Sequence, residues 1–292
     1  LQLLKQYFPS STLSVIAPQS SAWILKDAPF IDELYSYPQP KSFNLKSLIA
    51  LLKQLSLFLK IRRQHFDIAI GASYLHFIDT IKADRYYFWF HNTDFYPWFR
   101  GEAAIWQDRL NDPKITGFIA LTQWHKDQLI RDYGLTKPVH VIGNSIDRST
   151  FEPWPITKRP ASFIYSSARE RGLDRLLDMW PKIKLVIPEA TLDVFGPGYD
   201  RDQHPGLDLA GVSFRGSVAP QELHSWQQRS EYWLHPTNYE ETYCVTALEA
   251  QYAGCIPITT NLAALGEVVA DRGFLMQDGE TDEAFVNIIR VI

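Results

Sequence analysis

Cysteine is nearly absent: two in 292 residues, Cys244 and Cys255, each among apolar neighbours. That scarcity excludes a disulfide-built scaffold and fits a reducing compartment. Long hydrophobic runs are missing as well. No apolar stretch reaches the roughly 18 residues that span a bilayer, and the most apolar, "LKSLIALLKQLSLFLKI", is broken by Lys46, Lys53, Gln54 and Lys60. Its leucines fall at helical spacing, giving an amphipathic helix packed on a sheet or, alternatively, one lying on a membrane surface. Charge of one sign is not in excess either. A formal net charge of -4 offers no bulk attraction for nucleic acid, which argues against a nucleic-acid partner. The chain opens on Leu1 without a signal-peptide pattern and closes inside a helical pattern. The expectation is that sequence is missing at each end.

What is present is an alternation of strands and helices. Apolar, β-prone runs occur at "LSVIA", "DIAIG", "YYFWF", "GFIAL" and "VHVIG", then again at "SFIYS", "TLDVFG", "VSFRG", "YWLHP", "CIPIT" and "GFLMQ". Amphipathic segments lie between most of them, such as "TQWHKDQLIRDYG", with Trp124, Leu129 and Tyr133 expected towards a sheet. Continuous apolar strands interleaved with helices indicate parallel sheets covered on both faces. The length suggests two domains of roughly 150 residues. The proline-rich "NSIDRSTFEPWPITKRPAS" reads as their linker, dividing the chain into 1–152 and 153–292. Ligands of doubly wound sheets sit beyond the carboxyl ends of the strands, so function is sought in the loops that follow strands.

Four such loops carry chemistry. In "NYEETYCVTALEAQYAGCIPITT", Glu241 precedes an apolar helix stopped by Gly254, and Glu249 lies within it. Val245, Leu248, Tyr252 and Cys255 recur at helical offsets, marking the expected buried face. A carboxylate at a helix start is ordinary capping; the same helix start also suits a phosphate, and the flanking carboxylates suit sugar hydroxyls. In "SSARERGLDRLLDMW", Arg169 and Arg171 stand just before a helix. Positive charge there opposes the helix dipole, which favours a bound anion such as a diphosphate. Gly196 and Gly216 end two further strands and permit close backbone approach or simply a tight turn. In "YYFWFHNTDFYPWFRG", His91 and Asp94 follow an aromatic strand, so His91 is either a structural turn residue or one that orients or protonates a reacting group. His125 and His235 are read as structural. The aromatics Trp89, Phe95, Tyr96, Trp98 and Phe99 are either core or a stacking surface for an acceptor.

Together these loops resemble the retaining GT-B glycosyltransferases, in particular the nucleotide-sugar-dependent family four (glycosyl transferases group 1). The resemblance is carried by Glu241 and Glu249 within "EETYCVTALEAQYAGCIPITT", supported by "VHVIGNSIDRSTF", "RGLDRLL" and "FRGSVAPQEL". It implies an α/β fold of two Rossmann-like domains facing across a cleft, an acceptor-side domain first and a nucleotide-sugar domain second. It implies a hexosyltransferase using a nucleoside-diphosphate sugar, with a sugar, glycan or lipid-linked acceptor, and a cytoplasmic or membrane-peripheral location. Residue by residue, it assigns Glu249 to the donor ribose and Glu241 to the donor hexose. The amides of Tyr243, Cys244 and Val245 go to sugar or phosphate, Arg171 and Arg169 to the diphosphate, and His91 to the reacting carbon. Two features depart from the family: Tyr243-Cys244 stands where a Phe-Gly pair is usual, and the first strand with its glycine-rich loop is expected ahead of Leu1. Arginines and a helix start can stabilise a leaving diphosphate without a metal or other cofactor; Asp200-Arg201-Asp202 reads as a polar loop, not a manganese site. Two rivals stand beside this reading. A glycoside hydrolase also uses paired carboxylates, and a non-catalytic module would bind donor without turnover.

Overall fold

The computed structural model describes residues 10–18, 31–37, 56, 59–72, 77–93, 108–198, 206, 208–277 and 282–291. The helix expected around 45–61 falls largely outside these residues. So do Asp94, Phe95, Tyr96, Trp98, Phe99 and the Asp200-Arg201-Asp202 loop. The chain divides into two compact units: Leu1–Tyr87 with Pro113–Thr116, and Phe88–Asp112 with Gly117–Ile292.

In the first unit, β1 (Ser14–Pro18) pairs in parallel with β2 (Glu33–Tyr37). Sequence patterning missed β2, because "ELYSY" lacks an apolar run. Polar contacts anchor it instead: the Glu33 carboxylate accepts from Ser14 Oγ (2.7 Å) and from the Tyr35 hydroxyl (2.9 Å). β3 (His65–Ala72) and the short α1 (Phe77–Thr80) follow. Then come β4 (Lys82–Trp89) and β5 (Ile115–Ala120), each with residues in both units, and, within the second unit, α2 (Gln123–Tyr133) and β6 (Val139–Val141); the strand order is β3-β4-β5-β6. The buried residues of α2 are His125 and Leu129; Trp124 and Tyr133 are only half-buried.

The second unit holds the larger sheet. Its strands are β7 (Arg159–Ser166), β8 (Thr191–Phe195), β9 (Val212–Gly216), β10 (Ser230–His235), β11 (Ile256–Thr260) and β12 (Phe274–Met276). Every pairing is parallel, in the order β12-β11-β10-β7-β8-β9. The chain therefore winds outwards from β7 in one direction and returns to wind outwards from β10 in the other. The switch of direction falls between β7 and β10, where loops leave neighbouring strand ends in opposite senses and open a crevice.

Strand alternation sorts the core into two layers. Phe163 and Tyr165 of β7 and Leu234 of β10 pack with Leu176, Trp180 and Ile183 of α3 (Leu173–Val186) and Phe285 of α7 (Asp282–Val291). Ile164 and Trp233 point the other way, towards α5 (Val245–Tyr252) and α6 (Leu265–Val269). The helix α4 (Pro220–Arg229) contributes Leu223 and Trp226 to that layer. At the sheet margin Asp193, 2% exposed, is held between Arg159 (2.6 Å) and Arg215 (2.8 Å), and both guanidiniums lie over the Trp226 ring.

The face of α5 differs from the sequence expectation. Val245 and Tyr252 are exposed, whereas Ala247, Ala250 and Ala253 are fully buried. Small side chains let the helix lie close against the sheet, so the bulky residues turn outwards.

Candidate active site

The loops after β7 and β10 meet at the switch point. After β7 the chain makes one 3-10 turn, Arg169–Arg171, and then enters α3 through Gly172 at φ 106°. A Cβ at Gly172 would meet the Pro236 carbonyl at 2.5 Å, so glycine is what lets the β7 loop lie on the β10 loop. That contact brings Arg171 to Glu241. The two form an ion pair in which Glu241 is buried, and the Arg171 guanidinium also lies 4.1 Å over the Tyr239 ring. Burial disfavours the arginine's charge, but the hydrogen bond and attraction of Glu241 outweigh it and raise its pKa. The charge at this helix start is thus balanced by a carboxylate from a loop 70 residues on.

Two further side chains close around Glu241. His235, the last residue of β10, is fully buried between Trp233 (ring centroids 4.7 Å apart) and Tyr165 (5.9 Å). Its Nε2 lies 3.9 Å from Glu241 Oε1, and neither ring nitrogen has a hydrogen-bond partner among the described residues. Burial, aided by Arg171, pushes its pKa down to about 3, so the ring is neutral. Cys244 precedes α5 with φ 68°, a left-handed backbone that favours glycine, at the position where the resemblance expects one. Its thiol is pushed up to about 12, chiefly by burial. His235, Glu241 and Cys244 place one ligand atom each within 4.8 Å of one another. That donor set suits a thiophilic cation, yet Arg171 already supplies the positive charge beside Glu241. The arrangement is therefore best described as a buried polar cluster around an ion pair.

Other expected residues are distributed differently. Arg169 pairs with Asp174 in the first turn of α3 at 3.0 Å. Gly196 donates to the Gly216 carbonyl at 3.1 Å, joining the ends of β8 and β9. Glu249 faces His224 of α4 rather than Arg171, with 3.5 Å between Oε1 and Nε2. The Tyr243 ring packs where a Cβ on Gly143 would stand, 2.7 Å away. Val245 opens α5 and is exposed. His91 is exposed on one side and stacks on Trp89 at 5.2 Å; desolvation by its neighbours lowers its pKa. Its carbonyl accepts from Thr242 Oγ1 at 2.9 Å, which ties it to the Glu241 loop. Thr122 Oγ1 in turn donates to the Thr242 carbonyl at 3.1 Å.

His125 is structural, as expected. Nδ1 accepts from the Leu121 amide (3.2 Å) and Nε2–H donates to the Asn92 carbonyl (3.2 Å). His235, set aside from sequence for want of a partner, has Glu241 beside it. His224 and Glu267 gave no signal in the sequence, since their partners lie far along the chain.

The fold is of the GT-B type. A sucrose-phosphate synthase from Thermosynechococcus elongatus superposes with a TM-score of 0.66 at 12% identity, covering 96% of this chain and 89% of that one. HepE from Anabaena, solved in complex with UDP and glucose, gives 0.65 at 16% identity over 99% and 84%. Residues 161–292, which hold most of the six-stranded sheet, match the family described as glycosyl transferases group 1. In sequence, this chain is 29% identical over 143 residues to a glycogen synthase of Mycobacterium tuberculosis, covering 45% of the chain and 34% of the relative. It is 27% identical over 148 residues to a phosphatidyl-myo-inositol mannosyltransferase of Propionibacterium freudenreichii, covering 48% and 37%. The chain spans about a third of the length of the curated relatives it matches. No helix among the described residues is long and apolar enough to cross a membrane.

Proposed function

We propose that this chain transfers a hexosyl unit from a nucleoside-diphosphate sugar to an acceptor hydroxyl with retention of configuration and without a metal. The observation that carries the reading is the meeting of Arg171 and Glu241 at the switch point of a parallel sheet, beside the start of α5. A cation and a helix start are what a departing diphosphate needs, because its charge grows as the glycosidic bond breaks. Glu241 holds Arg171 in place and offers its carboxylate to a hexose hydroxyl. Glu249 takes the ribose and His91 serves the reacting carbon. The domain boundary near Glu152, and Arg169, Gly196 and Gly216 as further donor contacts, belong to the same reading. UDP in the solved neighbour makes uridine the first base to test. The acceptor is a sugar, glycan or lipid-linked sugar, met in the cytoplasm or at a membrane surface.

Calorimetric titration with UDP, GDP and ADP tests the donor site, repeated on Arg171→Ala and Glu249→Ala. Binding of one nucleotide, weakened by both substitutions, supports the reading and names the base. Absence of binding to all three overturns it. Nucleotide binding with no turnover of any matching sugar donor would leave a binding module instead. The anomeric configuration of the product, read by NMR, tests retention, and activity in excess EDTA tests metal independence.

A further inference from the structure

The first unit holds a cavity that the donor reading does not use. It measures about 380 Å³, within the range of small-molecule sites. Arg62, His65, Lys82 and Lys114 line it. They stand at or just before the starts of β3, β4 and β5, whereas the loops read for sugar transfer follow strand ends. The cavity is backed by Ile78 and Tyr86, both buried. The Tyr86 hydroxyl donates to the Ile81 carbonyl (2.6 Å) and accepts from the Ala83 amide (2.8 Å). That strap closes the turn 81–83 and sets the backbone of Lys82 in place. The local charge runs against that of the whole chain. The protein carries a formal net charge of -4, yet three permanent cations line this cavity and Asp79 is the one carboxylate among its lining residues. His65 is engaged by Asp84 at 2.8 Å. The side chains of Arg62 and Lys82 have neither an ion-pair nor a hydrogen-bond partner among the described residues.

We propose that this cavity is a binding site for a phosphate monoester, held chiefly by Arg62 and Lys82 with Lys114 beside them. Cations scattered over a surface are simply solvated. Gathered in one concavity they repel one another, and the low-dielectric wall behind them focuses their field on an incoming anion. Offset by Asp79, the three cations leave an excess of two positive charges. A phosphate monoester carries close to two negative charges at neutral pH, and its oxygens accept from guanidinium and ammonium groups alike. A free phosphorylated solute and the headgroup of phosphatidic acid present this same chemistry. The inference is independent of the nucleotide-donor reading.

The test titrates glycerol 3-phosphate into the wild-type protein and into the double variant Arg62→Ala, Lys82→Ala. In parallel, both proteins are sedimented with phosphatidylcholine vesicles with and without phosphatidic acid. The wild-type protein is expected to bind glycerol 3-phosphate, more weakly as salt is raised, and the double variant to bind it about tenfold or more weakly, the ratio that corresponds to lost hydrogen bonds between charged groups. Binding only to the vesicles that contain phosphatidic acid, lost in the double variant, supports the site and assigns its phosphate to a lipid headgroup. Binding to neither probe overturns the proposal. So does binding that the double substitution leaves unchanged, which would place the phosphate elsewhere. Both side chains are exposed, so the variant should fold; if it does not, Lys82→Gln alone is read in the same way. Affinity for UDP, GDP and ADP should be the same in variant and wild type. A parallel loss of nucleotide binding would mean that glycerol 3-phosphate was reporting the donor site, and that too overturns the proposal.

Discussion

Two helices of the second unit begin differently. At the start of α2, Thr122 Oγ1 accepts from the His125 amide at 3.1 Å. The Glu267 carboxylate, 144 residues away, accepts from the Gln123 amide at 2.9 and 2.8 Å and from the Trp124 amide at 3.2 Å. That helix start is filled by the protein's own anion. At the start of α5, Cys244 has a left-handed backbone and no side-chain cap, and the preceding carboxylate, Glu241, is engaged by Arg171. The contrast teaches where the protein spends its own negative charge. The helix dipole at α2 is answered internally, while at α5 a cation stands beside the helix start, the combination the donor reading requires.

The largest way to break this comparison is to remove Arg171. Arg171→Ala strands Glu241 as a buried charge and should cost about 3–5 kcal/mol in urea denaturation; adding Glu241→Ala should recover part of that loss, since the pair acts as a unit. Acidification comes next. His235 is neutral in the folded chain with a pKa of about 3, whereas an unfolded histidine takes up a proton below about pH 6.5. Protons therefore favour the unfolded state, and stability should fall as pH drops from about 6.5 towards 3, by roughly a kcal/mol per pH unit from this group. His235→Phe should flatten that slope in melts followed against pH. Glu267→Ala should cost about 1 kcal/mol, the scale of a lost cap or dipole partner, and leave nucleotide affinity unchanged if α5 rather than α2 meets the phosphates. The smallest effect concerns the thiols. Burial raises both Cys244 and Cys255 to about 12, so neither should react with a thiol reagent at pH 8 until the chain is unfolded.

Much of the fold was legible because parallel strands buried on both faces are written as continuous apolar runs; each of the eleven runs coincides with a strand. β2 was not, since Glu33, Ser36 and its tyrosines form no such run and their pairing with Ser14 is a tertiary fact. The buried face of α5 was misjudged for a related reason. Hydrophobicity favoured Val245 and Tyr252, but close packing on a sheet selects Ala247 and Ala250. In the site, Arg171 and Glu241 announced themselves as charges at strand ends. His224 did not, because its partners Thr150 and Glu249 lie far from it along the chain, and no local pattern records that.

The seat of Glu267 on α2 has a consequence for anyone who would cut the chain. Residues 121–125 and 242–267 share a carboxylate, a threonine hydroxyl and a carbonyl. A fragment begun at the proline-rich linker would therefore expose Glu267 and the Thr242 carbonyl with nothing to receive them. These hydrogen bonds join residues on either side of the proline-rich stretch, so a cut there would break them.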